Sequence, residues 1–449
     1  MTVQMCQQPL TGGDYFVLAI DHEMRRAGMH GNTCRAFVHL DGRAEAEGLR
    51  AAIRASGLAD WLAGAHVGRA ASAGEPVWQW SPDVGDVPIE ECSVPADWGV
   101  GPDLPPLAPQ EDLRPDVPPN VRFRLMHRPD GTSVLVLLWQ HALMDAHGAE
   151  LLLQHISAAG AGASPATRDV LGLGHAARAD GAAAGPPTPG AAGAAWHHCM
   201  SFVGDVSRLP VASVTPCAPG GAGGRNRFRR IRFDRAESDA IRARIEGTGA
   251  TVARSVFCMA VCMRALQGVL AERSVEPAAF LVPVPHERRK AGAAGPICSN
   301  RISFLFYRAE PADMVSLEGL IASLVRQMRS QVRAGIPASF EQAMEVFRRV
   351  PLGAYSRVVH GPSAGQVASF FFSDTGDSFR DAPRFLGARI RDVLHVPPVP
   401  FPPGVAIVAG QFGDRLSIVL SWVEGCLDSG EVDMLERAIR SQMLGGGAS

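Results

Sequence analysis

The sequence predicts an α/β protein whose strands form mixed sheets in two halves, and three observations predict it. Strand-like and helix-like stretches mix throughout the chain without the strict alternation of a doubly wound fold. An Ala-, Gly-, Pro- and Ser-rich stretch, residues 158–226, separates two segments of similar strand-and-helix order. Within the first half, the apolar run Ser133–Leu138 ends at a loop carrying His141 and Asp145, and helical apolar spacing follows from Ala149 to Ile156.

Taken in order, Tyr15–Ile20 reads as a short apolar strand. Arg35–Leu40 is another, turning at Asp41-Gly42 into a helix over Ala44–Arg54. Val121–Arg128 and Ser133–Leu138 flank the turn Pro129-Asp130-Gly131 as a hairpin. Low-complexity runs such as Pro219-Gly-Gly-Ala-Gly-Gly224 mark the connecting stretch as a linker, with one ordered piece expected near Trp196. Beyond it come a strand over Phe228–Phe233, a helix over Ala236–Glu246, and a longer apolar helix over Thr251–Arg273 with Thr251 as N-cap. Phe280–Val284 and Arg301–Tyr307 read as strands, Leu317–Ala334 as a helix and Ala368–Ser373 as an apolar strand. Gly404–Gln411 and Arg415–Trp422 form a hairpin around Gly413-Asp414, before a closing helix over Gly430–Leu444.

Length and composition set the bounds. A chain of 449 residues holds two domains of ordinary size, placed here at 1–157 and 227–449. The net charge of −2 offers no footprint for nucleic acid. Of 43 basic residues only Lys290 is a lysine, a bias of GC-rich bacterial coding. Nine dispersed cysteines without a CxxC pair suit reduced thiols in the cytoplasm, and Cys258 and Cys262 read as core residues. The N-terminus lacks the build of a signal peptide. No uninterrupted apolar run reaches the roughly 18 residues of a membrane span. His197-His198-Cys199 has no second ligand pair at suitable spacing, so no metal site is expected. No phosphate-binding glycine loop of the Walker or Rossmann type is visible.

The chemistry concentrates at Gln140-His141-Ala142-Leu143-Met144-Asp145-Ala146. An imidazole titrating near neutrality can take a proton from an attacking hydroxyl or amine. A carboxylate four residues on, near the core, needs a cationic partner. Trp139 reads as packing, and His147 and His155 as surface or helix-packing residues.

This segment resembles the hallmark HHxxxDG of the superfamily of condensation domains, chloramphenicol-acetyltransferase-like enzymes and wax ester synthase/diacylglycerol acyltransferases. His141 and Asp145 match it; Gln140 and Ala146 stand where the family has its first His and its Gly. Leu40-Asp41-Gly42 with its following helix resembles the family's opening. Val282-Pro283-Val284 with Arg288 and Arg289, and Ser299-Asn300-Arg301, resemble its PVxxR and GN segments; Leu420-Ser421-Trp422 resembles its C-terminus. The DFGWG motif of plant-type members is absent.

The resemblance implies two chloramphenicol-acetyltransferase-like subdomains forming a pseudo-dimer with a tunnel between them. It implies His141 as general base at the tunnel, and Asp145 as a structural residue paired with Arg288 or Arg289. Gly148, Asn300, Ser373 and Thr375 are its candidates for substrate contact, the last two as oxyanion donors. The implied activity is acyl transfer from a coenzyme A or carrier-protein thioester to a small-molecule hydroxyl or amine acceptor, by a stand-alone monomeric enzyme of secondary metabolism that needs no cofactor. The altered hallmark leaves open a non-catalytic relative that binds a carrier protein or partner enzyme.

Overall fold

The computed structural model describes residues 6–69, 76–80, 84–104, 111–165, 168–172, 190, 193–195, 197, 198, 200, 201, 204, 211–215, 224–248, 254–275, 279–290, 292–361 and 366–446. Trp196, Cys199 and Thr251 lie outside these residues.

The first half runs β1 (Cys6–Pro9), α1 (Gly12–Arg26), β2 (Thr33–Asp41), α2 (Ala46–Ala55) and α3 (Ala59–Gly64). It continues through β3 (His66–Arg69), β4 (Pro76–Trp80), β5 (Ile89–Ser93), β6 (Asp103–Leu104), β7 (Val121–His127) and β8 (Ser133–Gln140) to α4 (Ala146–Gly160) and α5 (Arg168–Leu171). The second half comprises β9 (Asn226–Arg232), α6 (Arg235–Gly247), α7 (Arg254–Glu272), β10 (Phe280–Glu287), β11 (Ile302–Ala309), α8 (Leu317–Arg333), α9 (Ile336–Phe347) and α10 (Leu352–His360). After these come β12 (Phe371–Asp377), β13 (Arg384–Phe385), β14 (Ala388–Val396), β15 (Val405–Phe412), β16 (Arg415–Val423) and α11 (Ser429–Leu444).

One expectation fails at the start: Tyr15–Ile20 lies inside helix α1, not in a strand. Thr11 and Asp14 close a capping box at its N-terminus, with Thr11 Oγ1 accepting from Asp14 N at 3.1 Å and Asp14 Oδ2 accepting from Thr11 N at 2.8 Å. The helix is buried on most of its circumference, so its apolar run lacks the polar stripe that reveals a helix. The strand expected over Ala368–Ser373 lies three residues later, at Phe371–Asp377.

The sheets are mixed. A six-stranded sheet orders β13-β14-β2-β8-β7-β5, and a five-stranded sheet orders β12-β15-β16-β9-β6. The first takes β13 and β14 from the second half of the chain, and the second takes β6 from the first half. β14 pairs antiparallel with β2, and the short β6 pairs with β9. A three-stranded sheet (β1-β4-β3) and the β10-β11 ribbon complete the set. Pro283 and Pro285 are tolerated in β10 because it has a neighbour on one edge only.

Burial follows this plan. One apolar cluster gathers around α2, α4 and the inner face of β2, β7 and β8, and a second around α7, α11 and β15–β16. A third, with Phe37, Leu138, Phe228 and Val408, lies between the two large sheets. Helix α7 is 19 residues long with mean hydropathy 1.4, enough by length and composition to cross a membrane, but 67% of that window is buried in the second core. Cys258 and Cys262 belong to it, and burial pushes the Cys258 thiol up to about 12.

Candidate active site

Strand β8 delivers the loop. After Gln140 the chain makes one 3-10 turn, His141–Leu143, and Asp145 then caps α4. Gln140 is fully buried and serves both sides of the turn. Its Oε1 accepts from Ala142 N at 2.6 Å, and its Nε2 donates to Asp21 Oδ1 of α1 at 3.0 Å. An amide donates and accepts at once, which suits a residue fixed between an N–H and a carboxylate.

Asp145 uses both carboxylate oxygens. Oδ1 accepts from Gly148 N at 2.8 Å; Oδ2 accepts from Arg289 Nη1 at 2.8 Å and Arg301 N at 2.9 Å. Burial alone would raise this carboxyl, but the Arg289 charge and these hydrogen bonds hold it below the usual carboxylate range. Arg289, its side chain 1% exposed, also donates to the carbonyls of Pro296 and Ser299 at 2.9 and 3.0 Å. Of the two candidate arginines, Arg289 is the partner. Arg288 turns away and meets Glu341 at 2.9 Å.

Asn300 is a second tie. Its Nδ2 donates to the carbonyls of His141 at 2.9 Å and Ala142 at 3.1 Å, and to Asp14 Oδ1 at 3.1 Å. Asn300 N also donates to Asp14 Oδ1, at 2.8 Å, so the α1 terminus, the 300 turn and the His141 turn are joined. Gly148 packs where a Cβ would stand 2.5 Å from the Ile297 carbonyl oxygen. Neither Gly148 nor Asn300 lies on the cavity wall; both hold the loop from behind.

The cavity measures about 340 Å³, within the range of small-molecule sites. Phe16, Trp139 and His141 wall it from the first half, and Phe372, Ser373 and Thr375 from the second. Trp139 is packing as expected, its Nε1 donating to the Met144 carbonyl at 2.9 Å. Burial lowers the His141 imidazole below its ordinary value, and its own backbone carbonyl, Asp145 and Asn300 oppose this only in part. The ring is therefore neutral at physiological pH. His141 Nδ1 is enclosed.

On the opposite wall, Ser373 and Thr375 belong to β12; Asp374 between them is bound by Arg254. Thr375 Oγ1 donates to the Ala409 carbonyl at 3.4 Å. His147 is exposed at the cavity's edge, and His155 meets the Ser56 carbonyl at 2.9 Å. His198 Nδ1 lies 2.7 Å from Ser339 Oγ, and the described residues contain no cluster of three or more metal-ligating side chains.

Two residues on the cavity wall were not anticipated. Glu150 of α4 and His395 of β14 are paired at 2.8 Å across 245 positions of sequence. A carboxylate inside the apolar run Ala149–Ile156 is the one local signal of Glu150; nothing in the sequence joins it to His395.

No protein-family model matches the chain, and no curated protein matches it by sequence. Solved structures resemble it over nearly its whole length. The first condensation domain of the calcium-dependent antibiotic synthetase aligns at 14% identity and TM-score 0.67, covering 99% of this chain and 98% of that one. A trichothecene 15-O-acetyltransferase from Fusarium sporotrichioides aligns at 13% identity and TM-score 0.68, covering 98% and 95%. The starter condensation domain of rhizomide synthetase, solved with C8-CoA and Leu-SNAC, aligns at 13% identity and TM-score 0.63, covering 98% and 95%. The fold is thus the one shared by condensation domains and acyltransferases of the chloramphenicol-acetyltransferase type.

Proposed function

We propose that the protein is an acyltransferase that moves an acyl group from a coenzyme A or carrier-protein thioester to a hydroxyl or amine, with His141 as general base. One observation carries the reading. A neutral imidazole walls a cavity bounded by both halves, on a loop clamped by the buried Asp145–Arg289 pair.

With Nδ1 enclosed, Nε2 is the ring nitrogen left to meet an acceptor. It takes the acceptor's proton as the oxygen or nitrogen attacks the thioester carbonyl, and the imidazolium returns that proton to sulfur as the C–S bond breaks. Ser373 and Thr375 are suited to donate to the oxygen on which negative charge develops. A thioester is already activated, so orientation and a base suffice and the chemistry calls for no cofactor. Asp145, Asn300 and Gly148 act through the loop by keeping it in place. Both walls belong to one chain, which makes a monomer the working unit in this reading.

The test supplies the purified protein with acyl-coenzyme A donors of graded length and with alcohol and amine acceptors, and follows free thiol. Thiol release that depends on an acceptor is the expected result. Thioesters left intact with every acceptor, by protein that nonetheless binds an acyl carrier protein, would replace this reading with a non-catalytic binding module.

A further inference from the structure

A second space lies behind the first. It measures about 860 Å³, against about 340 Å³ for the cavity with His141, and both fall in the range of small-molecule sites. The β10-β11 ribbon stands between them, as the alternation of its side chains shows. Pro285, Glu287, Ile302 and Phe304 line the His141 cavity; Val284, His286, Leu305 and Tyr307 line the second space. The register pairs Pro285 with Phe304 and Val284 with Leu305, so each set shares one face of the ribbon. Helix α8, with Arg329 and Arg333, and the start of α7 complete the second space as a groove.

Beside the ribbon the sheet is split. Gln331 binds both backbone groups of Phe306, at 2.9 and 2.7 Å, and Gln327 binds both of Arg308, at 2.9 and 2.7 Å. Phe306 and Arg308 therefore turn their backbone groups away from β10, and their register partners Pro283 and Leu281 turn theirs away from β11. Leu281 spends its groups on Ser369: its N–H donates to Ser369 Oγ at 3.1 Å, and its carbonyl accepts from Ser369 N at 2.7 Å. Further along this edge stand Pro283 and Pro285, which have no N–H to donate. β12 lies beside β10 yet pairs only with β15, so no ladder closes the seam beyond Leu281. Pro285 of β10 and Asp374 and Gly376 of β12 line the spaces on both sides of it.

The groove is basic. Its wall carries Arg254, Arg329, Arg333 and Arg380 against Asp374 and Asp377. Those carboxylates are taken, Asp374 by Arg254 and Asp377 by Arg380 at 2.9 Å. Arg329 and Arg333 sit one turn apart at exposed positions of α8, and neither has a carboxylate partner among the described residues. Two unneutralised guanidinium groups on one groove wall suit phosphate, which they bind through paired N–H donors.

We propose that this groove binds the phosphate groups of a coenzyme A donor through Arg329 and Arg333, and that the donor's pantetheine arm passes the seam between β10 and β12 to bring its thioester to His141. The proposal rests on the acyl-transfer reading above and names its donor. Coenzyme A fits the groove better than a carrier protein does. It brings a nucleotide to fill the space and a pyrophosphate to meet the unpaired arginines, where a carrier brings a single phosphodiester.

Binding tests this without turnover. Calorimetric titration of coenzyme A into the wild-type protein should give an affinity that falls as salt rises, since exposed charges are screened. Arg329→Gln and Arg333→Gln should each weaken it about tenfold, the worth of a hydrogen bond to a charged group, and Arg329→Lys should keep part of it. Arg357→Gln removes an exposed arginine outside both walls and should leave the affinity as in wild type. ADP, which has the pyrophosphate without the arm, should compete with coenzyme A. An affinity indifferent to salt and to both glutamine variants would overturn the proposal.

Turnover then separates the donors. Along the series S-acetylpantetheine, S-acetylphosphopantetheine and acetyl-coenzyme A, KM should fall at each step, and each fall should shrink in the double variant Arg329→Gln with Arg333→Gln. Such a gain needs the phosphates in the groove and the thioester at His141 at once, which is what passage through the seam demands. A gain that stops at phosphopantetheine would give the groove to a carrier-protein donor and overturn the choice of coenzyme A. Transfer from S-acetylpantetheine with no gain from any phosphate would sink the groove and leave the acyl-transfer reading standing. Coenzyme A held through both arginines, with no thiol released from any donor, would keep the groove and sink that reading.

Discussion

Helix α4 presents two buried carboxylates to the second half of the chain, and they are finished differently. Asp145, at the N-cap, has both oxygens committed, and its partner Arg289 is also bound to two carbonyls and to Glu287. Glu150 is matched as closely on its own side, but its partner His395 keeps one nitrogen unpaired. Both pairs cost desolvation, so neither is explained by stability alone. The difference lies in what each pair joins. The Asp145 pair holds the shape of the His141 turn, while the Glu150 pair ties α4 to β14.

That contrast can be broken by substitution. Asp145→Ala strips the buried Arg289 of its closest carboxylate and leaves it only the more exposed Glu287 at 3.1 Å, and breaking a buried pair costs on the order of 3 kcal/mol. Denaturant unfolding should register the loss, and a variant as stable as wild type would mean the clamp is not structural. His141→Ala should behave oppositely, with an unfolding midpoint near wild type and turnover in the thiol-release assay lowered about 10²–10⁴-fold. Full transfer by His141→Ala would remove it as the base.

Gly148→Ala drives a methyl group toward the Ile297 carbonyl oxygen and should cost about 1–3 kcal/mol in the same unfolding experiment. Glu150→Gln should cost less, about 1 kcal/mol, because a glutamine oxygen can still accept from His395 Nε2. If Glu150→Gln proved more damaging than Asp145→Ala, the Glu150 pair rather than the Asp145 clamp would be the stronger tie of α4 to the second half. The gentlest effect is on pH. Burial disfavours the His141 imidazolium, so the proton that silences the base binds at a lower pH than for an ordinary histidine. The acid limb of kcat/KM should therefore fall below about 6.5. An acid limb above that value would contradict a buried neutral base.

The sequence showed most where the determining contacts are local. The hairpin of β7 and β8, the loop with His141 and Asp145, helix α4 and the hairpin of β15 and β16 all follow from apolar period, turn residues and caps a few positions apart. Helix α1 was misread because burial on most sides erased its stripe, although the Thr11 and Asp14 capping box stood in plain sequence. Helices α9 and α10 and strand β14 also escaped. The first begins with a proline in its opening turn, and both helices are short.

The sequence by itself determined, then, a mixed α/β chain with an HxxxD loop after a buried strand, and the need for a cation beside Asp145. Only the tertiary structure chose Arg289 over Arg288. Arg288 N continues the ladder to the Arg301 carbonyl while its side chain meets Glu341, and the adjacent residue faces the other way, a difference no local spacing reveals. Tertiary structure also decided that β14 crosses to pair with β2, and so brought His395 to Glu150. The physical reason is one of range. Caps, turns and amphipathic period draw on neighbours within a few residues, whereas strand partners and ion pairs between distant segments are selected by the packing of surfaces that exist only once the chain has folded.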